Sequence, residues 1–307
     1  MAFTASHRGI WPALLTPLTA GLDIDHAAFA RHACGLLARG CAGVTPFGTT
    51  GEGPSFTVAE RRAGLEALIA GGVPAAQILV STSCAALPDV VALTRHAVAA
   101  GAYGCLVLPP FFLKGVPDQG VLDAYRWVID QVADPRLRVV LYHIPQVSGV
   151  RLSHAVIARL RSLYPDTIVG LKDSGCVRAD SLAFAEAFMP AMQVWVGNEP
   201  DLPALGARGS LGAVSGIANV MPQLVGRLAV APGEDGAQAK RDLQRVRAFL
   251  DILGGYGMTA AFKAIMAIVD GDPGWHRVRP PLVALDADER ARIAAQMASF
   301  ALDRGQD

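Results

Sequence analysis

The sequence predicts an α/β protein whose parallel strands close into a (β/α)8 barrel, with helices at its C-terminal end. Short apolar runs alternate with longer amphipathic segments, and the apolar runs are nearly continuous. Such runs are typical of parallel strands that are buried on both faces. About eight strand-plus-helix units fit into roughly 220 residues, which is the size of a TIM barrel. We therefore predict a barrel over residues 1–230 and a helical region over residues 231–307.

The strand predictions follow the apolar runs in chain order. They cover residues 10–15, 42–46, 78–83, 104–108, 138–142, 167–172, 194–197 and 212–215. Amphipathic helices are predicted between them at residues 25–39, 58–70, 89–100, 119–132 and 153–163. Thr57, Asp118 and Ser153 are candidate N-caps, and glycines stand where helices should stop.

A doubly wound open sheet is the alternative architecture. Its Gly-rich phosphate turn would follow the first strand, where this chain has T-P-L-T-A-G instead. After about Met221 the alternation stops, and residues 238–253, 259–269 and 287–300 have the pattern of three helices. The segment Ala231-Pro232-Gly233 is the predicted boundary of this three-helix appendage.

Composition limits the function classes. The 307 residues are 52% hydrophobic and 18% charged, with a formal net charge of zero, so no global field favours nucleic acid or an anionic membrane. The five cysteines form no C-x-x-C pair, which favours reduced thiols. The first ten residues lack a basic region followed by an apolar run, so no secretion signal is expected. These observations predict a cytoplasmic protein.

Lys172 is the first candidate catalytic residue, because it ends the buried run T-I-V-G-L-K. Catalytic residues of barrels lie at the C-terminal ends of strands. Burial there disfavours the ammonium form, and a neutral amine is what Schiff-base formation with a carbonyl needs. Position alone also allows an ordinary lysine that is paired with Asp173.

Tyr142 ends the preceding apolar run, R-V-V-L-Y. Neighbouring parallel strands lie ~5 Å apart, so Tyr142 and Lys172 are expected side by side at one rim of the barrel. A phenol in that place can move protons during carbon–carbon bond chemistry. An aromatic side chain that only packs at the barrel mouth is the alternative interpretation.

The segment Gly48-Thr49-Thr50-Gly51-Glu52 follows the second predicted strand. Its backbone N–H groups and the hydroxyls of Thr49 and Thr50 can bind a carboxylate, and a helix N-terminus is expected directly after it. The alternative is an ordinary turn and helix cap. The seven histidines show no metal-ligand spacing, so no metal site is predicted.

Three motifs together resemble the dihydrodipicolinate synthase / N-acetylneuraminate lyase family. They are G-V-T-P-F-G-T-T-G-E at residues 43–52, Y-H-I-P-Q-V-S-G-V at 142–150 and G-L-K-D-S at 170–174. The resemblance implies a homotetrameric barrel without metal or organic cofactor. It implies that Lys172 forms the Schiff base, that Tyr142 relays protons, and that Thr49 and Thr50 hold the carboxylate and take part in the relay.

Two departures from the synthases of this family bear on the substrate. Val147 stands where they carry an arginine that recognises the second substrate, and Pro109-Pro110-Phe111-Phe112 replaces their tyrosine pair. Glu199 and Ser215 resemble residues with which the lyases bind sugar hydroxyls, although Asn198 replaces an acidic residue of those lyases.

The leading hypothesis is a class I aldolase that cleaves a 2-keto-3-deoxy sugar acid to pyruvate and an aldehyde. In it, Gly48 helps to bind the carboxylate, while Glu199 and Ser215 bind hydroxyls. The enzyme alternatives are a dihydrodipicolinate (4-hydroxy-tetrahydrodipicolinate) synthase and a keto-deoxy sugar acid dehydratase. The non-enzyme alternative is a regulatory protein that binds a keto acid.

Overall fold

Seven parallel strands form one curved sheet in the structure, a computed structural model that describes residues 8–210, 212–231, 233–300 and 302. The strands are β1 (Gly9–Pro12), β2 (Leu79–Ser81), β3 (Gly104–Val107), β4 (Val139–His143), β5 (Ile168–Asp173), β6 (Gln193–Val196) and β7 (Gly212–Ser215). They are ordered β1-β7-β6-β5-β4-β3-β2, so consecutive strands from β2 to β7 are neighbours and β7 also pairs with β1. This is the α/β barrel-like topology that the sequence predicts.

The prediction of a regular strand at residues 42–46 was wrong. This segment closes the ring between β1 and β2 through two isolated bridges, Ala13↔Thr45 and Val44↔Ile78. Gly43 packs so closely on Trp11 that an added Cβ would lie 2.2 Å from its ring, and Pro46 has no N–H to extend the pairing. Backbone hydrogen bonds still join the segment to both neighbours, since the Thr45 N–H donates to the Pro12 carbonyl at 2.8 Å and the Leu79 N–H to the Val44 carbonyl at 2.9 Å, so the ring remains closed.

The interior of the ring is filled by side chains from alternate strand positions, as expected for a packed barrel. Trp11, Val140, Tyr142 and Trp195 belong to this inner apolar cluster. Residues at the intervening positions, such as Leu141 and Leu171, pack outward against the helices. Side-chain alternation along each strand therefore decides which residues reach the centre of the barrel.

Helices surround the sheet. They are α1 (His26–Ala38), α2 (Val58–Ala70), α3 (Leu87–Ala99), α4 (Asp118–Val132), α5 (Pro145–Ser148), α6 (His154–Leu163), α7 (Arg178–Phe188), α8 (Leu202–Gly206) and α9 (Pro222–Ala229). Thr57 caps α2 in a capping box with Glu60, and Ser153 caps α6. Asp118 is not the cap of α4, because Pro117 holds that position and Asp118 instead accepts a hydrogen bond from Ser153.

Three further helices follow: α10 (Ala237–Gly254), α11 (Met258–Asp270) and α12 (Ala287–Met297). Their apolar faces share one buried cluster with strand residues such as Ile10 and Val196. Since one core joins these helices to the barrel, the division of the chain at residue 230 stays a prediction. Pro232, at the predicted boundary, lies outside the described residues.

Within the described ranges, no single helix is long and apolar enough to cross a bilayer. The pair of α10 and α11 together has the necessary length and composition, but the two helices are bent by 115° relative to each other.

A buried polar cluster ties β1, β7 and α1 together. Asn219 Oδ1 accepts a hydrogen bond from the Leu15 N–H at 3.1 Å and lies 2.9 Å from His32 Nε2. Asn219 Nδ2 donates to the carbonyls of Ala13 and Gly216, each at 2.9 Å. Burial lowers the pKa of His32 to about 4, although the bond to Asn219 works in the opposite direction. His32 is therefore neutral near pH 7 and serves as a structural donor.

We expect the protein to lose stability in mild acid through His32. The unfolded state binds a proton near the ordinary pKa of 6.5, whereas the folded state does so only near 4. The stabilisation is complete above pH 6.5 and falls as the pH drops toward 4, by about 2 kcal/mol at about pH 5. His32→Gln keeps a donor but does not titrate. Urea unfolding at about pH 7.5 and pH 5 should show a smaller acid loss in this variant; equal losses would contradict the account.

Candidate active site

Lys172 and Tyr142 meet inside the barrel mouth. The two residues are direct partners in the register of β4 and β5, and both point into the ring. Lys172 Nζ donates to Tyr142 Oη at 3.1 Å and lies 4.2 Å from the centroid of the phenol ring. The side chains are only 5% and 2% exposed. The predicted pairing of these two residues is thus present as a buried, direct contact.

Asp173 faces the opposite side of β5, away from Lys172. Its carboxylate accepts from the Gly175 N–H at 2.9 Å and from the Ser181 hydroxyl of α7. Within the described ranges, no carboxylate forms an ion pair with Lys172 at 4.0 Å or less. The alternative interpretation, in which Lys172 is simply paired with Asp173, is therefore not what the structure contains.

The surroundings of Tyr142 favour its ionised form. Burial alone would raise the pKa of the phenol, but the Lys172 ammonium and hydrogen bonds with Thr49, Lys172 and Ser174 outweigh it, so the pKa lies below its ordinary value. The contact with Thr49 joins Thr49 Oγ1 and Tyr142 Oη at 3.4 Å. A phenol that gives up its proton more readily than usual, next to an amine, suits proton transfer.

The loop that carries Thr49 has a tightly constrained backbone. Phe47 and Glu52, at its two ends, both adopt left-handed conformations, with φ of 61° and 58°. A Cβ on Gly51 would lie 2.4 Å from the Leu14 carbonyl oxygen, so only glycine fits there. The Thr16 hydroxyl donates to the Gly51 carbonyl at 2.8 Å. These contacts fix the direction in which the hydroxyls of Thr49 and Thr50 project.

The predicted threonines take up different places. Thr49 reaches Tyr142, whereas Thr50 Oγ1 lies beside Gly216, 3.5 Å from where a Cβ of that residue would be. Gly48 borders the open cavity together with Thr49. The helix N-terminus expected directly after the loop is absent: α2 begins at Val58, because a 3-10 turn at Gly53–Ser55 comes first.

Glu199 and Ser215 lie together at the ends of β6 and β7. The Ser215 hydroxyl donates to Glu199 Oε1 at 2.6 Å, and Ser215 is completely buried. Burial raises the pKa of Glu199, partly opposed by the bond from Ser215 and by the charge of Lys172. The structure thus brings these two predicted residues to the same side of the barrel mouth, where they are hydrogen-bonded to each other.

A cavity of about 560 Å³ opens at this mouth. Tyr142, Gly48 and Thr49 form one wall. The other walls include Phe47, Leu108, Phe111, Val147 and Leu282. Val147, which replaces the arginine expected from the family resemblance, borders the same cavity as Tyr142. The volume is that of a small-molecule site.

Lys263 and Arg279 support the loop from behind, and the sequence analysis missed both. Lys263 of α11 forms an ion pair with Glu52, with both side chains fully buried, and donates to the Arg277 carbonyl at 2.7 Å. The Arg279 N–H donates to Glu52 Oε2 at 3.1 Å, and its guanidinium donates to the Ser55 carbonyl at 2.8 Å. Burial lowers the pKa of Lys263, opposed by Glu52. A lone lysine in the apolar run T-A-A-F-K-A-I-M was the available signal.

The described part of the chain contains no group of three or more His, Cys, Asp or Glu side chains that could hold a metal ion. The absence of a metal or organic cofactor stays a prediction.

Comparison with known proteins defines the class. The model of the dihydrodipicolinate synthetase family matches residues 6–299. A DapA-like lyase of Chloroflexus aurantiacus is 34% identical over 295 residues, which cover 95% of this chain and 96% of the relative. Matches of this extent define a lyase of the class I aldolase type. The chain belongs to the dihydrodipicolinate synthetase family.

Solved structures agree with this assignment. The dihydrodipicolinate synthase of Agrobacterium tumefaciens str. C58 superposes with a TM-score of 0.88 at 30% identity, covering 95% of this chain and 99% of that one. YagE of E. coli K12, solved in complex with pyruvate, superposes with a TM-score of 0.83 at 24% identity, covering 95% and 97%. The second likeness concerns the fold alone.

Removal of the buried cation behind the loop should destabilise the protein. We expect Lys263→Met to lower the free energy of unfolding by about 3–5 kcal/mol, because Glu52 is left buried without its counterion. The double variant with Glu52→Gln should recover most of that loss. Urea unfolding measures both, with Lys240→Met as the control because Lys240 is exposed. A single variant as stable as the control would show that the ion pair is not needed.

Proposed function

We propose that the protein is a Schiff-base lyase in which Lys172 attacks the keto carbon of a 2-keto acid. The reaction releases pyruvate when a carbon–carbon bond is cleaved and consumes it when one is formed. The observation that carries this proposal is the contact of a buried lysine amine with a phenol at 3.1 Å, at the edge of the cavity. Loss of water from the carbonyl–amine adduct gives a protonated imine, which withdraws electrons from the neighbouring carbon–carbon bond. No metal is required for this step.

Tyr142 is the proposed proton carrier. Its oxygen lies between Lys172 Nζ at 3.1 Å and Thr49 Oγ1 at 3.4 Å, so a proton can pass from the amine side to the cavity side. We place Thr49 in this relay. The sequence-based assignment of a catalytic role to Thr50 is the alternative, and paired variants decide between them.

Gly48, Thr49 and Thr50 are proposed to hold the substrate carboxylate. Gly48 and Thr49 border the cavity, and a carboxylate bound there would leave its keto carbon toward Tyr142 and Lys172. Short hydrogen bonds from hydroxyl and N–H donors to an anion are stronger than those between neutral groups. This anchor would orient the carbonyl for attack.

For the remainder of the substrate, the sugar-acid form of the proposal depends on Glu199 and Ser215. Glu199 lies close enough to Lys172 for the lysine charge to affect its pKa, but Glu199 and Ser215 would have to exchange their mutual 2.6 Å bond for bonds to substrate hydroxyls. Dihydrodipicolinate synthesis is the second candidate, favoured by the 30% identity to the Agrobacterium synthase. Against it, Val147 offers no guanidinium for a second carboxylate. Dehydration of a keto-deoxy sugar acid shares the same imine.

A homotetramer, a cytoplasmic location and a separate C-terminal helical region are part of the proposal. They follow from the family resemblance and from the sequence patterns described above, and sedimentation velocity of the purified chain measures the first of them.

Borohydride trapping tests the Schiff base. After incubation with pyruvate and reduction, we expect the mass increase of a 1-carboxyethyl group on the peptide that contains Lys172, because reduction converts the imine to a stable secondary amine. Lys172→Met should give no adduct, while Lys240→Met, which alters an exposed lysine, should give the full adduct. An adduct that persists in Lys172→Met would refute the assignment of the nucleophile.

The proton relay is tested by hydroxyl deletion. We expect Tyr142→Phe to lower kcat by about 10²–10⁴-fold, because proton transfer loses its carrier. Thr49→Val should lower kcat roughly tenfold, the value of one hydrogen bond. Thr50→Val should act mainly on KM for pyruvate, because the Thr50 hydroxyl lies beside Gly216 and not beside Tyr142, and its proposed role is to bind the carboxylate. Steady-state kinetics measure all three, and a larger kcat effect of Thr50→Val than of Thr49→Val would transfer the relay role to Thr50.

A further inference from the structure

We propose that the part of the cavity beyond the pyruvate position binds an apolar aldehyde group, so that the preferred partner of pyruvate is an aliphatic or aromatic aldehyde rather than a polyhydroxylated one. This inference rests on the proposed function, because it concerns the second half of the same reaction. The observations that carry it are the composition of the cavity walls and the hydrogen bonds already made by their polar groups.

Apolar side chains from three separate segments border the cavity. Leu108 and Phe111 follow β3, Val147 lies in α5, and Leu282 precedes α12. Three prolines, Pro54, Pro280 and Pro281, fill the wall between them, and prolines offer no N–H donor. An apolar group placed here would be enclosed by carbon on several sides and would gain by leaving water.

Several polar groups of the same walls already have hydrogen-bond or ion-pair partners. The Ser83 hydroxyl accepts from the Leu108 N–H at 2.9 Å, and the Ser148 hydroxyl bonds to the backbone of Ile144 and Val150. Glu52 is the one charged side chain among the described lining residues, and Lys263 and Arg279 occupy its carboxylate. Ser55, Ser81 and Thr259 also line the cavity, so the hydroxyls of a sugar chain would find few side-chain partners beyond these three, and unpaired buried hydroxyls are costly.

Val147 is the residue of this wall at which the family resemblance leads us to expect a positive charge that binds a second carboxylate. It borders the cavity beside Tyr142 and is half exposed, at 52%. Neither its side chain nor those of Leu108 and Phe111 can bind a carboxylate or a hydroxyl. Glu199 and Ser215, which were predicted to bind hydroxyls, lie at the ends of β6 and β7 and are bonded to each other. The two sides of the barrel mouth thus differ, and the open side is the apolar one.

The reaction joins the two substrates without any other reagent. The methyl carbon of pyruvate, held as the enamine on Lys172, forms a bond to the aldehyde carbon. The aldehyde oxygen takes a proton through Tyr142 and becomes a hydroxyl. Hydrolysis of the imine then frees Lys172 and a 4-hydroxy-2-oxo acid. Cleavage is the same sequence in reverse.

The test uses two aldehydes that share a four-carbon skeleton, butanal and erythrose. The purified full chain is first incubated with pyruvate in D2O, and loss of the methyl proton signal reports enamine formation without any aldehyde. We then expect kcat/KM for condensation with pyruvate to be about tenfold or more higher for butanal than for erythrose, since several hydroxyls would lose partners. A ratio of one or less overturns the apolar subsite. Failure of the proton exchange itself overturns the proposed function, and with it this inference.

Val147→Thr locates the effect, because threonine has nearly the shape of valine but carries a hydroxyl. The ratio of kcat/KM for butanal to that for erythrose should fall about threefold or more in this variant. Val230→Thr, at an exposed valine at the end of α9, is the matched control and should leave the ratio as it is. An unchanged ratio in Val147→Thr would overturn the assignment of this wall to the aldehyde.

Discussion

The hydrogen bond between Lys172 and Tyr142 depends on the register of two neighbouring strands. Val139 pairs with Ile168, yet Val140 pairs with Gly170, so an irregularity inserts one extra residue into β5. Without it, Tyr142 would stand opposite Leu171 instead of Lys172. Because side chains alternate, a slip of one residue would also place the amine in the helical layer, where Asp173 now lies. This local irregularity brings a buried amine and a phenol into one layer of the barrel.

The loop opposite this pair is held by distant parts of the chain. Glu52 ends the loop in a left-handed conformation, and its carboxylate is bound by Lys263 and by the backbone of Arg279. A buried ion pair is a poor source of net stability but a good way to fix geometry, since neither charge can leave without its partner. The C-terminal region therefore supports the site from outside the barrel. By binding Glu52, it holds the loop in which the Thr49 hydroxyl contacts Tyr142.

Much of this arrangement could be predicted from the sequence because it follows from local patterns. The apolar runs gave seven of the strands, and the residues that end two adjacent runs, Tyr142 and Lys172, were expected side by side. The segment at residues 42–46 could not be predicted correctly, because the close packing of Gly43 on Trp11 is a tertiary contact. Asp118 was predicted as a cap on residue type alone, whereas Pro117 takes that position.

The long-range contacts were out of reach for a similar reason. Lys263 and Glu52 are far apart in sequence, and no local pattern pairs them. The different places of Thr49 and Thr50 depend on the left-handed turn at Phe47, which is not an obvious choice for a phenylalanine. Likewise, Glu199 and Ser215 were expected to be open to substrate, but the closeness of β6 and β7 lets them bond to each other. Sequence thus identified the chemical groups, and packing decided which of them are free.

The most direct test is a crystal structure of the protein after reduction with borohydride in the presence of pyruvate. The account predicts a covalent bond from Lys172 Nζ to the former keto carbon, the carboxylate on the Gly48–Thr49–Thr50 backbone and hydroxyls, and the methyl group directed toward the Phe111 and Val147 wall within reach of Tyr142. A 1-carboxyethyl group on another lysine, or a carboxylate bound away from this loop, would contradict it.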